Sequence, residues 1–307
     1  MASGFSLVLG GGGAVGLGYV CGVLHALEEV TGVDLAAADV LIGTSVGAVV
    51  AADLRLGRPI LDIYADRTRP NGEDDEPLVT KAWSSRADLA RRIVGASSVA
   101  ARAITPFAMR LPPPPRFVQR AFPGSLLRVR DAEWAQRRFP DEWPEEPLWL
   151  AAYDIDRGAR AVLRRDGHPP LTLPRAVEAS CAVPAAYAPV RAGGRRLVDG
   201  GVRSPTNLDL AADVPSATVI AIAPLAVEGG ATFRAAARRR FNRVLAREAA
   251  QVRGRGKQVV VFRPSIEELR VHGLNLLSDR NLDAVFDRAY TAAKTSVRTM
   301  ELARTIT

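Results

Sequence analysis

Val40-Leu41-Ile42-Gly43-Thr44-Ser45-Val46-Gly47 carries a short apolar run into a serine between glycines and on into a helical pattern. A brief apolar run that stops at glycine reads as a buried strand. The spacing from Val46 to Leu56, stopped by Gly57, reads as a helix. Between them lies Gly43-Thr44-Ser45-Val46-Gly47, a G-x-S-x-G sequence in a strand-turn-helix context. A nucleophile elbow needs that context: a tight turn exposes the Ser45 hydroxyl, and Gly43 and Gly47 let strand and helix pass closely. The bare pattern is weak, and its place directly after an apolar strand is what gives it weight.

The same rhythm stands upstream. Phe5 to Leu9 is apolar and ends at Gly10; Leu17, Val20, Cys21, Leu24 and Leu27 then space a helix from Gly16 to Val30. Strand, turn, helix, strand, turn, helix within residues 5–57 predicts a parallel α/β sheet. The first turn is Gly10-Gly11-Gly12-Gly13-Ala14-Val15-Gly16. Glycines there let backbone N–H groups face an anion near a helix N-terminus, either a phosphate or a developing oxyanion.

Residues 66–147 break the rhythm with an acidic turn, Arg-rich helical patterns and Pro112 to Pro115. Four consecutive prolines fit neither a helix interior nor a central strand, so this stretch reads as a basic helical insertion or cap over the sheet. The alternation then returns. Leu148 to Tyr153 and Ala159 to Leu163 form a predicted hairpin across Asp156-Arg157-Gly158, and Leu173 to Ala182 a helix. Arg195 to Val198, Thr218 to Ala223 and Gln258 to Phe262 are predicted strands; Phe233 to Val252 and Leu282 to Ala303 are predicted helices. With 307 residues, one large or two modest domains fit. The expectation is a single domain over 1–307: a three-layer α/β/α fold on a mostly parallel central sheet.

Val198-Asp199-Gly200-Gly201-Val202 is the third signal. An acid at the end of a short strand, followed by two glycines, is held at a sharp turn. Standing alone, it is an ordinary Asp-Gly turn.

Taken together, the glycine loop, the G-x-S-x-G and the Asp-Gly-Gly resemble the patatin-like phospholipase family in kind and order. Ala179-Ser180-Cys181-Ala182-Val183-Pro184 is similar to the Ala-Ser-x-x-x-Pro block of that family. The resemblance covers about residues 5–57 and 148–223, and not 66–145. Val15 departs from the Arg or Lys that many members carry in the glycine loop. The resemblance implies a Ser-Asp dyad without histidine: Ser45 attacks an ester carbonyl and Asp199 takes its proton. It further implies an oxyanion hole of N–H groups from Gly11, Gly12 and Gly13, with that of Val46, while Gly16, Gly43, Gly47, Gly200 and Gly201 support the turns. The implied substrate is a lipid or small carboxylic ester, and no cofactor or metal is implied. The residues suit the chemistry, because a serine hydroxyl needs a base and a covalent intermediate divides one hard step into two. A free aspartate, with a pKa of about 3.9, is a poor base near neutrality. Burial in an apolar cleft is therefore expected to raise Asp199.

Composition bounds the rest. The hydrophobic fraction is 48% and the charged fraction 24%, which excludes disorder or a fibrous repeat as the main state. Two cysteines, Cys21 and Cys181, exclude a disulfide framework. His25, His168 and His272 stand in no metal-ligand spacing. The net charge of +8 is concentrated: residues 80–130 and 234–263 each hold ten Lys/Arg against one acid, on an otherwise acidic chain. These segments are either solvated helix faces or surfaces for peripheral contact with an anionic membrane. Their sparse aromatics argue against nucleic acid as a partner. No targeting or spanning segment is visible, so the expected location is cytoplasmic, with peripheral membrane contact.

Three rival readings use the same residues. Gly11-x-Gly13-x-x-Gly16 is a literal dinucleotide fingerprint, but that reading needs an acid at the end of the second strand, where Gly43-Thr44-Ser45 stands instead. An ordinary Ser-Asp-His triad would draw on His272, which lies in Arg270-Val271-His272-Gly273 and reads as a surface turn. A non-catalytic, membrane-associated adaptor could keep the fold without turnover.

Overall fold

The strands Phe5–Leu9, Val40–Thr44 and Thr218–Ile222 are buried on both faces, which is why they read as mainly apolar runs. The computed structural model describes residues 4–68, 133–184, 187–229, 233–272, 276 and 281–299. Its strands are β1 (Phe5–Leu9), β2 (Val40–Thr44), β3 (Leu148–Asp154), β4 (Ala159–Leu163), β5 (Val190–Ala192), β6 (Arg195–Asp199), β7 (Thr218–Ile222) and β8 (Gln258–Phe262). They form one sheet in the order β5-β6-β3-β2-β1-β7-β8, with β4 on β3. The pairs β3-β2-β1-β7-β8 are parallel, while β4, β5 and β6 add antiparallel pairings at one end.

Helices cover both faces: α1 (Gly13–Thr31), α2 (Val46–Arg55), α3 (Ile60–Thr68), α4 (Glu133–Arg138), α5 (Leu173–Cys181), α6 (Phe233–Arg253), α7 (Ile266–His272) and α8 (Leu282–Thr299). The two-residue period of a strand sorts its side chains between the faces. Leu7, Leu9, Leu41, Ile220 and Ile222 join the core formed with α1, α2, α5 and α8. Val8, Val40, Ile42, Val219 and Ala221 join a second core with α6 and the 3-10 segment Leu208–Asp213. The three-layer α/β/α expectation holds on this chain. The closing helix α8 rests on glycines of α1: a Cβ at Gly22 would lie 2.5 Å from the Phe286 carbonyl oxygen.

Boundaries differ from the sequence reading where glycine hides the pattern. Helix α1 starts at Gly13 rather than Gly16, because glycines contribute no apolar spacing. Strand β2 continues through Gly43 and Thr44, which pair with Leu150 and Ala151. The largest correction concerns His272. It is 2% exposed at the end of α7, edge-on to Tyr19, and not on a surface turn. Leu269, one turn earlier on the same helix, is buried with it and draws that face inward.

The proline run and the basic segment 80–130 lie outside the described residues. The described ends of 66–147 are tied to the body by charge. Asp53 of α2, fully buried, takes Arg58 at 3.1 Å and Arg138 of α4 at 2.5 Å, and Arg138 also reaches Asp66 of α3 at 3.3 Å. Ala135 and Phe139 are buried in the larger core, so α4 packs into the helical layer. No helix among the described residues is long and apolar enough to cross a membrane.

Candidate active site

The site begins with a break in the sheet. On one edge of β3, β2 pairs in parallel as far as Thr44 opposite Ala151; β6 then pairs antiparallel from Asp199 opposite Ala152. The other edge belongs to β4, which spans Leu150 to Asp154. Two strands therefore run toward each other along one edge and stop end to end. The residues at their tips, Ser45 and Asp199, are brought together.

Ser45 sits at φ 55°, ψ −126° between β2 and α2. Such a conformation costs a non-glycine residue about 1–3 kcal/mol and persists only where the surroundings impose it. Its neighbours impose it by close approach. A Cβ at Gly47 would lie 2.1 Å from the Leu9 carbonyl oxygen, and one at Gly43 would lie 2.5 Å from Ala48 Cα. The absent side chains let α2 leave β2 against the end of β1, which leaves Ser45 half-buried at the turn.

Asp199 is 5% exposed. The Ser45 hydroxyl lies beside its carboxylate, which accepts the Gly201 N–H at 2.7 Å. Burial pushes it up from 3.8 to about 6, against the pull of those two groups. A carboxylate placed and shifted in this way can take a proton from the hydroxyl beside it. His272 and His25 are occupied elsewhere: His272 packs on Tyr19, and His25 stacks with Tyr290 and Phe286.

The glycine loop faces the same point. A Cβ at Gly11 would lie 3.0 Å from Ser45 Cβ, and one at Gly16 would lie 3.2 Å from a Val46 methyl. Gly11 is nonetheless no oxyanion donor, because its N–H donates to the Pro205 carbonyl at 2.8 Å. The expectation that included it is corrected: the loop after Asp199 returns to pin the glycine loop in place. No described residue accepts from the N–H of Gly12 or Gly13, or from that of Val46 at the start of α2. The dinucleotide reading weakens further, because Asp39 lies before β2 and donates its N–H to Phe5. No group of three or more His, Cys, Asp or Glu residues among those described is placed to hold a metal ion.

Several supporting residues carried no assigned role in the sequence. Ser180, fully buried on α5, accepts the Ser45 N–H at 3.0 Å and donates to the Ala151 carbonyl at 2.7 Å. Ala182 accepts the Asp199 N–H at 2.9 Å. Asn207, at φ 52°, donates from Nδ2 to Thr44 Oγ1 at 3.1 Å and to the Ser204 carbonyl at 2.6 Å. Ser180 and Ala182 belong to the Ala-Ser-x-x-x-Pro block, the one available signal; nothing local marks Asn207.

Residues 7–212 match the family described as patatin-like phospholipase. No curated protein matches the chain. Among solved structures, VipD from Legionella pneumophila is 15% identical, with 97% of this chain and 67% of that one covered and a TM-score of 0.49. The type III effector protein ExoU is 18% identical, with 97% and 53% covered and a TM-score of 0.42. The ExoU-SpcU complex of Pseudomonas aeruginosa gives 18% identity, 99% and 60% covered, and a TM-score of 0.29. The chain thus spans between 53% and 67% of the chains it is compared with.

Proposed function

The chain belongs to the patatin-like phospholipase family, and from that premise we propose that it is a serine acyl hydrolase of lipid carboxylic esters, of phospholipase A, lysophospholipase or carboxylesterase type. The observation that carries this reading is the meeting of Ser45, held at φ 55° on its turn, with a buried Asp199 that burial pushes up to about 6.

In the proposed cycle Ser45 Oγ attacks the ester carbonyl carbon as its proton passes to Asp199. The carbonyl oxygen becomes an oxyanion facing the N–H groups of Gly12 and Gly13, with that of Val46. A donor of this kind typically supplies about 2.7–4 kcal/mol. The tetrahedral centre collapses, the C–O bond to the alcohol breaks, and protonated Asp199 returns its proton to the leaving oxygen. Water then attacks the acyl-Ser45 ester, Asp199 accepts its proton, and collapse releases the carboxylic acid and restores the hydroxyl. The raised pKa fits this double duty, because a group that both takes and gives a proton works best near the operating pH.

The proposed partner surface is α6. Arg239, Arg243 and Arg247 recur every fourth residue and are exposed along one face. Others of the 234–263 cations are occupied: Arg238 donates to the Pro224 carbonyl at 2.7 Å, and Arg253 to that of Val259 at 3.1 Å. The exposed stripe suits peripheral contact with anionic lipid from a cytoplasmic location. Sedimentation with anionic vesicles, but not neutral ones, is the expected result.

A fluorophosphonate probe tests the hydrolase itself. The wild-type chain should be labelled and should hydrolyse p-nitrophenyl esters and phospholipid. Ser45→Ala should lose labelling and turnover while keeping its circular dichroism spectrum. Undiminished turnover in Ser45→Ala would overturn the reading, and a wild-type chain that neither labels nor turns over would point to a non-catalytic role.

A further inference from the structure

We infer that Ser180 is a positioning residue for the nucleophile, its hydroxyl replacing a rung of the β-ladder where β2 turns away from the sheet. The inference rests on the hydrolase reading above and deepens it.

The register shows the missing rung. Along β2 and β3, residue 41 pairs with residue 148, and the Leu41 N–H donates to the Pro147 carbonyl at 3.1 Å. In a parallel ladder the same strand donates again at every second residue. Two steps on, the Ser45 N–H would donate to the Ala151 carbonyl. Instead the Ser180 hydroxyl stands between them, accepting from Ser45 N–H at 3.0 Å and donating to the Ala151 carbonyl at 2.7 Å. The polarity is fixed: a carbonyl oxygen only accepts and an N–H only donates, so one hydroxyl satisfies both.

The insertion has a geometric use. With a direct rung, Ser45 would stay in the strand and its side chain would follow the pleat. Setting its N–H one oxygen away from β3 leaves the residue free to take φ 55° and to present its hydroxyl to Asp199. The same end of α5 also holds the base, through the bond from Asp199 N–H to the Ala182 carbonyl at 2.9 Å. One buried helix end thus sets the nucleophile and its base against each other. Without the hydroxyl, the Ser45 N–H and the Ala151 carbonyl must either close on each other, which pulls Ser45 toward the strand, or remain unpaired.

Ser180→Ala and Ser180→Thr test this, with kcat, KM and the pH profile measured on an ester substrate and thermal stability followed in parallel. Ser180→Ala should lower kcat roughly 10- to 100-fold, as misplacement of a reacting group does. KM should stay within about twofold, since no substrate contact is assigned to Ser180. The pH midpoint of kcat/KM should move upward, because the Ser45 hydroxyl that lowers the Asp199 pKa is drawn away from it. Ser180→Thr keeps a hydroxyl and should stay within about threefold of the wild-type kcat, above the range expected for Ser180→Ala. If Ser180→Ala does not fold, Ser180→Cys, close in size and weak in hydrogen bonding, should show the same fall in kcat. A lower melting temperature with unchanged kcat and pH midpoint would overturn the inference. Because Ser45→Ala reports on the hydrolase reading separately, full activity in Ser180→Ala alongside an inactive Ser45→Ala would sink this inference alone.

Discussion

Ser45 and Asp199 meet because the strands that carry them run into each other along one edge of β3. β2 arrives in parallel and stops at Thr44, while β6 arrives antiparallel and its last residue pairs one position further on. No long side chain has to span a cleft. The short reach of serine and aspartate suffices because both strands end at the same place.

That placement makes the pH profile predictable. A base works only when ionised, so kcat/KM should rise with pH, half-maximal near the value of about 6 to which burial pushes Asp199. Activity should be low at pH 4.5 and flat above pH 7.5. Asp199→Asn removes the proposed proton acceptor and should lower kcat roughly 10²- to 10⁴-fold, the range for losing a general base. A wild-type profile without any ionisation above pH 4.5 would contradict the assignment.

Gly47 should tolerate no side chain. A Cβ there would lie 2.1 Å from the Leu9 carbonyl oxygen, and the clash is with backbone, which cannot swing aside. Gly47→Ala should cost at least about 1–3 kcal/mol, the usual range for overpacking, and should lower kcat as the elbow shifts. Gly57→Ala is the control: its φ is +77° but nothing lies within 4 Å, so it should lose only about 1–2 kcal/mol of left-handed strain and keep its kcat. Chemical denaturation with parallel assays separates the two. Equal effects at both positions would mean that the close approach at Gly47 is unimportant.

His272→Ala should leave kcat within about threefold of wild type, since no catalytic step is assigned to this residue. Its ring packs edge-on against Tyr19 at 5.8 Å, and the Asp199 carboxylate is shifted by burial, Ser45 and Gly201. Stability should fall, because a buried ring is replaced by a methyl group. Loss of turnover equal to that of Ser45→Ala, in a folded protein, would restore the triad reading.

The elbow, the acid and the alternating α/β pattern were legible because each rests on local sequence: an apolar run, glycines at a fixed offset, an acid at a strand end. What joins them was not. The shared edge of β3 follows from a register among three strands distant in the chain, and periodicity carries no register. The Gly11 N–H shows the same limit. Its neighbours marked it as an anion donor, yet Pro205, far along the chain, accepts its proton. His272 shows a related limit: its burial depends on Leu269 beneath it and Tyr19 on another helix, while the flanking Arg270 and Gly273 suggest a surface. Ser180 stood inside a recognisable block, but its use as a ladder rung appears only when β2 and β3 are aligned.

Glu248 of α6 should make the protein less stable as pH rises toward neutrality. It accepts the Leu208 N–H at 3.0 Å and so braces the loop that pins Gly11 and Thr44. Burial, with Asp209 nearby, pushes its carboxyl from 4.5 to about 7, against the pull of Ser204, the Leu208 N–H and Arg160. The folded state therefore holds a proton that the unfolded chain has released between about pH 4.5 and 7, and stability falls with rising pH across that window, by at most about 1.4 kcal/mol per pH unit for one proton. Glu248→Gln resembles the protonated form and removes this dependence. Relative to wild type, the variant should be close in stability at pH 4.5 and more stable at pH 8, in urea titrations at both values. Asp199, raised for the same reason, contributes a fall of the same sign below about pH 6, so the variant should keep some slope below pH 6 and be nearly flat between pH 6 and 7. A variant less stable than wild type at pH 8 would show that the charged carboxylate, rather than the neutral one, is what the Ser204–Leu208 loop requires.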